Sequence, residues 1–215
     1  MPTSRRKPGA GLPGILPGYD WNKRISRYRN LSTGRFVSKQ AVNGLLTNVA
    51  NGSGATLSKL AQQAVRGGLT PRQFYELSRR EVKHAYNACA ALGKGGWHQM
   101  TAADWGRNGN LLRAEYARLR DFSQAIANGK LTEAQAAARA SLYADSAYKR
   151  YWELDREGQR VAGMTRACWV TVGDEKVCLA CLELEGLGFV PIEQLPNPGG
   201  EVHAGCRCEL DYATG

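Results

Sequence analysis

The sequence predicts a mainly α-helical protein of the α+β class, with a helical body, a flexible basic arm before it and a small β-rich module after it. Proline, glycine and basic residues dominate the first 18 of the 215 residues, and apolar residues recur at intervals of three and four from about residue 38 to residue 158. Five residues between 178 and 208 are Cys or His. These patterns are typical of a disordered segment, of amphipathic helices and of a cross-linked small module, respectively. We therefore expect an arm at 1–20, a body with an N-terminal hairpin at 21–163 and a Cys/His module at 164–215.

The arm lies in the most strongly charged part of the chain. Lys and Arg exceed Asp and Glu by 8 over residues 1–40 and by 7 over 41–163, whereas acidic residues exceed basic ones by 5 over 164–215. Basic side chains can neutralise phosphates, and aromatic rings between them can stack on bases. The candidate nucleic-acid-binding residues are Arg5, Arg6, Lys7, Lys23, Arg24, Arg27, Arg29 and Arg35. Docking on an acidic partner protein and simple solvation of the tail stay open as alternatives.

The body begins with a short hairpin and continues with helices. The run 32–36 predicts a turn between Tyr28 and Val37. Two helices are expected at about 38–50 and 55–66, separated by the turn residues 51–54.

Three longer helices follow in the body. Thr70 and Pro71 predict the N-cap and first residue of one, Asn110 predicts the cap of the next, and Thr132 with Gln135 has the spacing of a capping box. The last of these helices is predicted to run toward residue 158. The predicted buried faces are Tyr75, Ser78, Val82, Ala85, Cys89 and Leu92 in the first, Leu112, Tyr116, Leu119, Phe122 and Ile126 in the second, and Ala140, Ala144, Ala147, Tyr151 and Trp152 in the third.

The C-terminal module carries the most informative pattern. Cys178-x-x-Cys181 is followed by His203-x-x-Cys206-Arg-Cys208. Paired soft ligands of this kind suit a tetrahedral Zn²⁺, which would stabilise a module that has few apolar residues to bury. Thiols packed in a small core, and disulfides formed after release from a cell, remain alternatives. Either Cys206 or Cys208 could supply the fourth ligand, because alternate residues of a strand share a face.

Short strands are expected around these ligands. Residues 168–172, the turn 173–176 and Val177 predict a hairpin, and 188–192 and 208–212 are two further strand candidates.

The C-terminal motifs resemble a known family. Trp169-x-Thr171-x-x-Asp174, the two Cys/His pairs and Leu184-Glu-Gly186 are similar to the C-terminal signature of the phage Mu F-like head morphogenesis family, with Leu179 and Ala204 where prolines are common. The resemblance covers about residues 140–212. It implies a minor head protein of a tailed bacteriophage, present in the host cytoplasm during assembly and then in the virion head. The implied partners are portal or capsid proteins and packaged DNA.

The sequence offers little support for catalysis. The chain has three histidines, and His84 and His98 lie in a helix pattern and a Gly-rich turn rather than beside a nucleophile. We expect a non-enzymatic protein without a small-molecule substrate, without a secretory leader and without a membrane segment. The alternatives are a zinc-containing DNA-binding protein or nuclease of the His-Cys type, and an interaction module of a bacterial host.

Overall fold

The computed structural model describes residues 19–22, 27–30, 39–199, 201–203 and 205–215, and gives the backbone alone at 19–22, 27–30, 39, 40 and 98. The α-helices in this part of the chain are α1 (Lys39–Val65), α2 (Pro71–Lys94), α3 (Ala102–Ala127), α4 (Glu133–Val161) and α5 (Leu179–Gly186). The strands are β1 (Tyr19–Asn22), β2 (Arg27–Asn30), β3 (Arg166–Val170), β4 (Val190–Pro191) and β5 (Glu209–Ala213). The predicted fold class, mainly α with a small β part, is confirmed.

Helix α4 packs against both α1 and α2, and α3 packs on α2. Along α1, the Ser58 hydroxyl donates to the carbonyl of Ala137 at 3.0 Å, and Arg66 pairs with Glu133 at 2.6 Å, so these two helices are antiparallel. On the other side, Gly93 of α2 lies directly against the backbone of Tyr151 in α4. Trp152 of α4 and Trp169 of β3 belong to the same buried apolar cluster, so one core extends from the helices to the sheet. The predicted division at residue 164 stays a prediction.

Three helices begin with the same cap. Thr70, Thr101 and Thr132 each accept a hydrogen bond from the backbone N–H three residues later, and the side chain at that later position accepts from the cap's own N–H. This reciprocal arrangement satisfies donors that the first turn leaves unpaired. The caps predicted at Thr70 and Thr132 are therefore confirmed, and α4 extends past residue 158.

The cap predicted at Asn110 is wrong. Helix α3 has its N-cap nine residues earlier, at Thr101, because Thr101 and Asp104 form a capping box and the buried side chain of Asn108 donates to Asn87 at 2.8 Å. The predicted buried faces are otherwise confirmed, except that Tyr75 and Tyr116 are half-buried.

The break predicted at residues 51–54 is also wrong, since α1 runs through it without interruption. Ser53 is buried and its hydroxyl donates to Glu81 of α2 at 2.6 Å. Gly54 lies against Ala144 of α4, where a larger side chain would meet neighbours at 3.7–3.8 Å. Packing against two helices thus overrides the weak helix propensity of glycine.

The sheet at the C-terminus has the order β4-β3-β5, with all pairs antiparallel. The strands predicted near 188–192 and 208–212 are confirmed as β4 and β5. The predicted hairpin from 168 to 177 is wrong, because β3 pairs with β5 through partners such as Trp169 and Leu210, and the chain after the turn at Gly173 enters α5 instead.

A separate pair of strands lies near the N-terminus. Strand β2 pairs with β1, placing Tyr28 opposite Trp21 and Arg29 opposite Asp20. The predicted turn at 32–36 lies outside the described residues. Among the described residues, no helix is both long enough and apolar enough to cross a bilayer.

Candidate metal centre

The first Cys pair lies at the start of α5. Cys178 is the N-cap and Cys181 is the third helical residue. These are the positions whose side chains meet in the three capping boxes of the body, so a Cys-x-x-Cys motif placed here turns both thiols toward one point. The sequence predicted that the thiols converge, although it placed them in a turn between strands rather than at a helix start.

The second group lies in the loop before β5. The Nε2 atom of His203 lies 3.4 Å from the Sγ atom of Cys181, and the Sγ atom of Cys206 lies 3.9 Å from the same sulfur. Cys208 is buried one residue before β5 begins. The structure therefore brings all five predicted ligands to the same end of the module.

Cys181 is common to two sets of potential ligands. One set consists of Cys178, Cys181 and His203, and the other of Cys181, Cys206 and Cys208. Within each set the ligand atoms all lie within 4.8 Å of one another. This part of the chain could hold a metal ion, and Cys181 would contact it in either set.

The electrostatic setting of the thiols differs across the site. Burial raises the pKa of Cys181 well above its usual range and raises the pKa of Cys208 to about 11. The backbone N–H of Cys181, in the first turn of α5, lowers the pKa of Cys178. Buried thiolates need a nearby positive charge, which a bound cation would supply.

A carboxylate holds α5 against the end of β3. The backbone N–H and the hydroxyl of Thr171 both donate to the Glu185 carboxylate, at 2.9–3.0 Å. Because Glu185 lies on the same short helix as Cys181, these bonds fix the helix that presents the first ligand pair.

An ion pair joins the two segments that carry the predicted ligands. Both terminal nitrogens of Arg207 contact the Asp174 carboxylate, at 2.7 and 2.8 Å. Arg207 lies between Cys206 and Cys208, and Asp174 lies in the loop that leads to Cys178. Bidentate geometry of this kind specifies orientation as well as proximity. The pair therefore sets the register of one ligand segment against the other.

The second segment is also anchored to α4. Lys149 pairs with Glu201 at 3.1 Å, and the N–H of Gly205 donates to Asp145. Gly199 has φ of 90° and packs on Tyr148, where a Cβ atom would lie 3.0 Å from the ring. The loop that carries His203 and Cys206 thus rests on helix α4 of the body.

The predicted nucleic-acid-binding residues are not brought together by the described structure. Arg27 and Arg29 lie on β2, for which the backbone alone is described. Arg5, Arg6, Lys7, Lys23, Arg24 and Arg35 lie outside the described residues. Their role stays a prediction.

Four residues that support the site were not predicted to contact one another. Thr171, Asp174, Glu185 and Arg207 were identified only as parts of a motif. Sequence spacing alone does not indicate the pairs that these residues form.

Comparison with protein-family models, with curated proteins and with solved structures finds no match to this chain.

Proposed function

We propose that this protein is a structural, non-catalytic minor head protein of a tailed bacteriophage, of the phage Mu F-like kind. One observation carries the proposal: the residues of the C-terminal signature interact as a unit. Thr171 binds Glu185, Asp174 binds Arg207, and the Cys and His residues gather around Cys181. The parts of this motif contact one another across 38 residues, from 171 to 208, which supports the resemblance more strongly than matching residues that are far apart in the fold.

We further propose that the module is stabilised by one zinc ion. Tetrahedral Zn²⁺ with Zn–S bonds of about 2.3 Å and Zn–N bonds of about 2.0 Å separates two sulfur ligands by roughly 3.8 Å, and a sulfur from a nitrogen by roughly 3.5 Å. The separations from Cys181 to Cys206 and His203 are 3.9 and 3.4 Å. Each of these two separations matches that expected for ligands of one tetrahedral ion, and we propose that Cys178, whose Sγ atom lies within 4.8 Å of the ligand atoms of Cys181 and His203, completes the site with them.

Cys206 is the better fourth-ligand candidate than Cys208. With His203 it repeats the three-residue spacing of Cys178 and Cys181, and its Sγ atom lies 3.9 Å from that of Cys181. Cys206→Ser is therefore expected to remove bound zinc, and Cys208→Ser to retain it. Metal content measured by mass spectrometry on both purified variants tests this assignment, which is wrong if Cys208→Ser alone loses the metal.

The proposed location is the virion head, close to the portal and the packaged DNA, with the basic arm available to contact phosphates. The test is to purify particles of the phage that encodes the chain, disrupt them and look for the protein in the head fraction by mass spectrometry. Co-purification of the tagged full chain with the portal ring supports a portal contact. Absence from purified heads contradicts the proposal.

The non-catalytic assignment has its own test. Incubation of the full chain with Mg²⁺ and supercoiled plasmid separates a head protein from a zinc-containing nuclease. We expect no nicking above the level of a matched preparation of Cys178→Ser. Nicking that is abolished by His203→Ala would instead support the nuclease.

A further inference from the structure

A basic groove runs between α2 and α3 on the surface of the body. Two adjoining cavities of about 460 and 350 Å³ form it, and both are lined by Glu76, Arg79 and Tyr116. Further basic side chains complete the walls: Arg80 and Lys83 from α2, and Arg113 and Arg120 from α3. All five basic residues are exposed. We call this surface, defined by the five basic residues with Glu76, Tyr75 and Tyr116, the α2–α3 groove.

The charge of the α2–α3 groove is strongly unbalanced. Among the residues that line the two cavities, five are basic and Glu76 is the one acid. Glu76 lies 3.7 Å from Arg79, with both side chains about half exposed, so this contact is well screened by water. Most of the positive charge in the groove is therefore not neutralised by these walls.

Two of the arginines are already held in place by aromatic rings. The guanidinium carbon of Arg79 lies 4.9 Å from the centre of the Tyr116 ring, and that of Arg120 lies 5.9 Å from the centre of the Tyr75 ring. Stacking on a ring limits the rotamers of a long side chain while leaving its N–H donors available. Less conformational entropy is then lost when an anion binds.

We propose that the α2–α3 groove binds the phosphodiester backbone of duplex DNA. Four of its five cations are arginines, whose planar fork matches phosphate oxygens. The cations are spread along both helices: Arg79 and Lys83 are about 6 Å apart along α2, and Arg113 and Arg120 about 10 Å apart along α3, at 1.5 Å per residue. An extended row of this kind suits a polymer of phosphates better than a single small anion.

The proposal does not depend on the viral assignment or on the basic arm. It concerns side chains of the folded body, and a protein with either of the alternative functions could use the same groove. An acidic protein is the competing occupant, and the two occupants differ in how their binding responds to salt and to competitor.

The test compares two charge-matched variants of the full chain. Arg80→Gln/Lys83→Gln removes two cations of the groove, whereas Lys59→Gln/Lys130→Gln removes two exposed cations elsewhere on the body. The probe is a short fluorescein-labelled DNA duplex, with binding measured by anisotropy between about 50 and 200 mM salt. Thermal unfolding of both variants, compared with the wild type, checks that each is folded.

If both substituted side chains contact phosphates, the slope of log K against log salt falls by about 1.8 in the groove variant. If the variant and the wild type have equal affinity at about 1 M salt, this slope difference corresponds to about 60-fold weaker binding of the variant at 0.1 M salt. The control variant is expected to bind within about twofold of the wild type. An equal loss in both variants, or no loss in the groove variant, overturns the proposal. Poly-glutamate serves as a model of an acidic protein. If the groove variant loses binding to poly-glutamate but keeps its affinity for DNA, the proposal is overturned in favour of an acidic protein.

Discussion

Removal of the Cys181 thiol perturbs the proposed metal centre most directly, because Cys181 belongs to both sets of potential ligands. We choose Cys181→Ala, with Cys89→Ala as the matched control. Both thiols are at most 1% exposed, but Cys89 lies in α2 within the apolar core, outside both sets. Loss of one buried sulfur atom is expected to destabilise either variant by about 1 kcal/mol through lost packing alone.

Bound zinc, as proposed, is expected to add a second contribution to stability in the wild type and in the control. At free zinc about 1,000 times the dissociation constant, binding to the folded state adds about 4 kcal/mol to the free energy of unfolding. For a chain of this size that corresponds to a rise in Tm of roughly 8–16 °C. Cys181→Ala should lack this rise, because a tetrahedral site with three protein ligands and an open position binds the ion less tightly.

The assay is thermal unfolding of the three proteins, each with zinc and with excess chelator, under reducing conditions. Chelation should lower the Tm of the wild type and of Cys89→Ala, and should leave the Tm of Cys181→Ala unchanged. Equal chelator sensitivity in Cys181→Ala and the wild type would refute ligation by this thiol. An insensitive wild type would refute metal stabilisation altogether.

Three further predictions concern the body and the support of the site. Gly93→Ala should cost about 1–3 kcal/mol in urea unfolding, since its methyl group would overlap a backbone carbonyl of α4. Gly106 has open space around it, so Gly106→Ala should raise stability by about 1 kcal/mol. Equal effects of the two substitutions would refute the close packing of α2 on α4. Burial alone would raise the pKa of Asp104, but hydrogen bonds and nearby cations lower it to about 2. The native state therefore gains about 2 kcal/mol of stability above pH 4, and this gain should disappear as the pH falls toward 2. Asp104→Asn should not show this loss when unfolding is measured as a function of acid pH. Glu185→Gln should destabilise the chain by about 1 kcal/mol, since the amide replaces an acceptor oxygen by a donor. It should also weaken zinc binding, measured in a competition titration. Unchanged zinc affinity would show that this contact does not support the metal centre.

Capping residues predicted the first residue of a helix correctly where a short local motif determines it. Thr70 and Thr132 follow capping rules that act over three residues, so sequence suffices for them. At Asn110 a residue with good capping chemistry is overruled by a complete capping box at Thr101. The uninterrupted path of α1 through Gly54 depends on contacts with α2 and α4, which no local pattern reports.

The sequence predicts the residues of the candidate metal centre, but not the contacts that hold them in place. Cys178 and Cys181 are recognisable by spacing, because spacing is what brings two thiols to one ion. The pairing of β3 with β5, and the ion pair of Asp174 with Arg207, join residues more than 30 positions apart. Such contacts depend on the fold of the whole module, which no local pattern reports, and the chain after Gly173 leads into α5 rather than into the second strand of a local hairpin.

The most direct test of the central claim is X-ray absorption at the zinc edge of the full chain, purified under reducing conditions, together with its metal stoichiometry. We predict one zinc per chain, bound by three sulfur atoms at about 2.3 Å and one nitrogen at about 2.0 Å. A protein that carries no metal and shows all six cysteines as titratable thiols when unfolded would contradict the claim that Cys178, Cys181, His203 and Cys206 form a zinc site.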